Sequence, residues 1–169
     1  MCYAVYIGTD QPLATSEWNE KDCLCYLIEL AEKDQPARLH FSKPNVYYAG
    51  SHVQCSCGFF HHSMVFTDDP AMMHEYEKTQ NSARALIAIL EQALQHAATV
   101  EVFVTWEGNQ ALAPARRLTL EPSALLSRLE PYSSDTDPEV KIAISDVVEQ
   151  DFIVFQTKAN NLPNPQLPN

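Results

Sequence analysis

Positive charge is scarce in this chain. Eleven lysines and arginines stand against 22 aspartates and glutamates, a formal net charge of -11, and Arg116-Arg117 is the only adjacent basic pair. So acidic a surface repels phosphate backbones and anionic headgroups, which makes nucleic acid and membrane surfaces poor partners. Long apolar runs are missing too, so no segment is expected to span a bilayer. Residues 1–15 lack the positive start of a secretory signal, and Asp10 and Pro12 interrupt their apolar run. These absences predict a soluble, cytoplasmic protein. A phosphate-cradling loop is also lacking, since Gly50-Ser51 is followed by no glycine or lysine at useful spacing. No Cys-x-x-Cys opens a helix, so the thioredoxin pattern is absent.

What remains is an ordinary globular composition, 46% hydrophobic and 20% charged over 169 residues. A chain of this size buries roughly 70% of its unfolded surface and needs neither metal nor disulfide to fold. It fits one α+β domain over residues 1–158. The stretch 159–169, rich in proline and asparagine, reads as a disordered tail. In a reducing cytosol the odd number of cysteines, five, points to thiol or metal chemistry rather than a disulfide framework.

Hydrophobic periodicity places strands at Tyr3–Ile7, Val46–Ala49, Val100–Trp106, Arg117–Leu120, Val140–Ile144 and Phe152–Phe155. Asp22–Ala31 reads equally as a buried strand or a short helix, and Ala37–Phe41 as its hairpin partner. Asp68-Asp69-Pro70 is a helix start, and an apolar stripe continues from there to Ala97, with Thr79–Ser82 as an interruption that allows either one bent helix or two consecutive helices. Pro122 opens a short helix through Leu129. The long connection between strands 46–49 and 100–106 predicts a strand–helix–strand crossover with the two strands parallel. The expected fold is α+β: a mixed, mainly antiparallel sheet with one crossover and a long helix on one face.

The chemistry-bearing residues concentrate in His52-Val-Gln-Cys55-Ser-Cys57-Gly-Phe-Phe-His61 and the adjoining His62. Cysteine and histidine bind zinc and act as nucleophiles or bases near neutral pH. The candidate catalytic residues are Cys55, Cys57 and His52, and the candidate metal ligands are Cys55, Cys57, His52 and His61, with zinc the natural ion. His62 reads as a solvated loop residue. Parallel strands would gather the loop 50–58 and Glu107-Gly108-Asn109 at their carboxyl ends, adding Ser51, Glu107 and Asn109 as supporting residues.

Cys23-Leu-Cys25 repeats the Cys-x-Cys spacing, and in an extended backbone each pair would present two sulfurs on one face. Its apolar surroundings argue for burial. Cys2 reads as the start of an edge or core strand, because the glycine- and asparagine-rich signatures of amino-terminal nucleophiles are missing. Two functional classes follow for the site at 50–58. One is a thiol- or metal-dependent enzyme acting on a small molecule. The other is a non-catalytic zinc-binding or protein-interaction domain in which the loop is structural. A closed four-ligand set would favour structure, and three ligands with an open position chemistry.

Overall fold

The computed structural model describes residues 2–60, 70–126 and 150–157. Among them six strands form one mixed sheet: β1 (Tyr3–Thr9), β2 (Cys25–Glu29), β3 (Asn45–Ser51), β4 (Thr99–Trp106), β5 (Arg116–Leu120) and β6 (Asp151–Gln156), in the order β2-β3-β1-β4-β6-β5. All pairings are antiparallel except β5 with β6. Helix α1 (Pro70–Leu94) lies on one face, and the described part of α2 (Ser123–Leu126), one turn, lies beside it. The fold is therefore α+β, as the periodicity predicts.

Alternation along each strand sorts side chains between two cores. Val5, Ile7, Val100, Val102 and Val104 meet Ala83, Leu86, Leu90 and Leu94 of α1. Ala4, Tyr6, Tyr48, Phe103 and Phe152 point the other way, around Ala37 and Phe41. The second face also buries carboxylates, each with its own donors. Tyr6 Oη donates to Asp34 Oδ1 at 2.6 Å, and the Ser42 N–H donates to Glu101 Oε2 at 2.8 Å. Burial raises the Tyr6 phenol well above its ordinary value, and Asp34 adds to the effect.

Several expectations are corrected. Glu32–His40 is a 3-10 helix rather than a hairpin strand. Pro36 within it has no N–H for a ladder, and Ala37 tucks beneath the second face. The ambiguous segment resolves as β2. Of the two readings at Thr79–Ser82 the single helix holds: α1 runs unbroken there, with Thr79 and Ser82 buried on its packed side. Its last helical residue is Leu94 rather than Ala97. Strands β3 and β4 do run the same way, but they are not neighbours, since antiparallel β1 lies between them. The expected strand at 140–144, the helix start at 68–69, His61, His62 and the tail lie outside the described residues. No helix among the described residues is long and apolar enough to cross a membrane.

Candidate metal centre

The insertion of β1 decides what meets at the end of the sheet. Because β1 is antiparallel to both neighbours, its amino end lies beside the carboxyl ends of β3 and β4. Tyr3 pairs with Trp106 and stacks on it, and Val5 pairs with Ala49. The Glu107 N–H donates to the Cys2 carbonyl at 2.9 Å, extending that ladder by one more rung.

Beyond β3 the chain doubles back through a tight turn. The Ser51 N–H donates to the Cys55 carbonyl at 3.0 Å, the Ser51 hydroxyl donates to the same oxygen, and Gln54 adopts a φ of 67°. Tyr26 Oη clamps the turn by donating to the Gln54 carbonyl. Its ring reaches there across Gly50, its partner in the β2–β3 register. A Cβ at Gly50 would sit 2.1 Å from the Tyr26 ring, so the crossing requires glycine.

A 3-10 turn at Ser56–Phe59 follows, and its side chains take over from β3 as partners of β1. Ser56 Oγ accepts the Val5 N–H at 2.9 Å and donates to the Ala49 carbonyl at 2.7 Å, so a hydroxyl bridges two residues that are register partners. Tyr3 supplies the next N–H along the same edge, and it donates to Cys57 Sγ at 3.2 Å. A backbone donor left over at the end of a ladder needs an acceptor, and here the acceptor is sulfur.

This arrangement brings Cys57 to Cys2. The Sγ atoms of Cys2, Cys55 and Cys57 all lie within 4.8 Å of one another, and each residue is half-buried. The group could hold a metal ion: three thiolates form a soft donor set of the kind that takes zinc, copper(I) and iron–sulfur centres. Burial pushes the Cys57 thiol up. The Tyr3 N–H and a hydrogen bond with Cys2 pull it back in part, while Cys55 adds to the rise. Without an ion, therefore, Cys57 favours the thiol, and a bound cation would supply the charge that its surroundings lack.

The other predicted residues divide. Glu107 flanks the cluster and accepts from Lys33 Nζ at 3.2 Å, and Cys2 lies near enough to that ammonium to affect it. Ser51 fixes the backbone of Cys55. The Asn109 N–H closes the following turn onto the Trp106 carbonyl at 3.0 Å. His52 instead faces the helix: Nδ1 lies 2.8 Å from Ser82 Oγ and Nε2 lies 3.9 Å from Glu75 Oε2. Trp18 Nε1 holds the His52 carbonyl at 3.1 Å. Burial lowers the His52 pKa, with the Glu75 carboxylate pulling the other way. The imidazole thus ties the cysteine-bearing turn to α1, and it does not belong to the three-sulfur group.

Cys23 and Cys25 do not share a face. Cys25 packs against the helix-side core and Cys23 against the opposite one. The backbone is extended only from Cys25 onward, so the two-residue alternation does not reach Cys23. Burial, with a smaller contribution from Cys23, pushes Cys25 up to about 12, which favours the protonated thiol at neutral pH.

The residue that spacing missed is Cys2. It is 53 positions from Cys55, and no motif joins them. The only trace is that one cysteine immediately precedes a strand while the other follows one, positions that antiparallel pairing brings to the same end. The chain matches no known family model, and neither a curated protein nor a solved structure matches it.

Proposed function

We propose that this protein binds a soft metal ion through Cys2, Cys55 and Cys57, and that the site is exchangeable rather than a closed structural staple. The observation that carries the reading is the mutual approach of three sulfurs within 4.8 Å, with no fourth protein donor in the group among the described residues. A structural zinc site closes its shell with four ligands, whereas three leave a position for water or a small molecule. Zinc is one candidate ion, and a small molecule bound through it would make the protein a metal-dependent catalyst. All five cysteines are free, which suits a reducing compartment such as the cytosol.

Metal analysis of untagged, reduced protein tests this. One equivalent of zinc, or of cobalt(II) as its coloured substitute, should be retained. Cys2→Ser, Cys55→Ser or Cys57→Ser should abolish retention, while Cys23→Ser and Cys25→Ser keep it. Metal retained by the Cys2→Ser variant would overturn the three-sulfur site. The contact of Cys57 with both other thiols supports a second reading, thiol redox chemistry. Failure to bind any metal, together with rapid alkylation of Cys55 or Cys57, would favour that alternative.

A further inference from the structure

Among the described residues the cluster stops at three donors, and the reason lies in what surrounds it. His52 is turned to Ser82 and Glu75, and Glu107 is engaged by Lys33. No other histidine, cysteine or carboxylate joins the group among the described residues. Charge is the second constraint. Three thiolates around a divalent ion leave a net negative charge, and around a monovalent ion a larger one. Among the described residues little nearby would offset it: the Lys33 ammonium is paired with Glu107 and its side chain is 67% exposed, and the chain as a whole carries -11. Placing an uncompensated charge in a half-buried site is unfavourable. A trivalent metalloid differs on both counts. Three sulfurs complete its shell, its lone pair occupies the fourth direction, and the product is neutral.

From donor number and charge together we infer that Cys2, Cys55 and Cys57 select a trivalent metalloid of the arsenite class over a divalent or monovalent cation. This rests on the soft-ion reading above. Binding is a condensation. Three As–O bonds of arsenous acid break and three As–S bonds form, each thiol proton leaves with a hydroxide as water, and no oxidation state changes. The Tyr3 N–H on Cys57 Sγ holds that sulfur in place for the third bond.

The experiment is a competition on the reduced full chain, titrated with sodium arsenite in excess zinc chloride and read by native mass spectrometry. The expected result is one arsenic per chain, with a mass gain of one arsenic less three hydrogens. Each single serine substitution at the three positions should weaken arsenite retention at least about tenfold. The wild-type competition needs no variant, so misfolding of a substituted chain does not blur it. Displacement of arsenite by zinc, or by copper(I) in a parallel run, overturns the metalloid inference and leaves the soft-ion reading standing. Loss of only two hydrogens overturns three-point attachment. Retention of neither arsenite nor any metal ion overturns both.

Discussion

At the scale of single residues, the cysteine-bearing turn depends on contacts that look incidental in sequence. His52 is the clearest case, because its imidazole links the turn to a fully buried serine on α1. Removing it by His52→Ala leaves the buried Ser82 hydroxyl only the longer 3.5 Å contact with the residue-52 N–H and should cost about 1 kcal/mol. The same contact carries a pH dependence of defined sign. Burial lowers the folded-state pKa below the unfolded value of about 6.5. The stabilisation from neutral His52 is therefore present above pH ~6.5 and is lost as pH falls from there through the folded pKa. Urea denaturation at about pH 7 and about pH 5 should show wild type losing more stability on acidification than His52→Gln. Equal losses in the two proteins would remove His52 as the cause.

At the scale of elements, the parallel edge of the sheet carries an ion pair between its two strands, beside their ladder. Arg116 on β5 grips Asp151 on β6 through Nε at 2.7 Å and a second nitrogen at 2.6 Å. The carboxylate is fully buried, while the arginine side chain is 47% exposed. Deleting one partner of a buried pair leaves an uncompensated charge, and solvent on the arginine side softens the penalty. Arg116→Ala should therefore cost about 2–3 kcal/mol in chemical denaturation, with Arg116→Met/Asp151→Asn recovering part of the loss. If Arg116→Ala unfolds like wild type, the pair is not what joins β5 to the sheet.

Element type was largely readable from the chain because period-two alternation reports burial directly. Val100, Val102 and Val104 against Phe103 are assigned to opposite faces by their spacing alone, and the structure puts them there. Lateral order was not readable. A strand buried on both faces looks the same whether it lies third or fourth in a sheet, so nothing in Tyr3–Thr9 announces that it separates β3 from β4. The candidate site inherited that blindness. Cys55 and Cys57 stand out by proximity in sequence, the same proximity draws in His52 although it faces the helix, and Cys2 reads only as a strand start because strand order alone delivers it to the cluster.

At the scale of the whole molecule, most ladder contacts join residues far apart in the chain. β1 pairs with Asn45–Ala49 on one side and Glu101–Trp106 on the other. A fragment ending at Leu94 would keep α1 and β2, β1 and β3 but leave one edge of β1 bare. It should show no cooperative unfolding by circular dichroism and should associate through that edge. A monomeric fragment with a sharp transition would show that three strands and the helix suffice.

The central place of β1 also sets the order of events as the chain is made. Its apolar residues leave the ribosome before both of their partners, and the second partner is complete only at Trp106. Until then Val5 and Ile7, fully buried in the finished sheet, have no β4 to cover them. Such a topology folds slowly, because distant pairings must close before they are rewarded. It also exposes an unpaired apolar strand to other chains in the meantime. β1, made before either of its partners, is thus among the last strands to be finished, whereas the three thiols depend on its β3 side, which can close earlier.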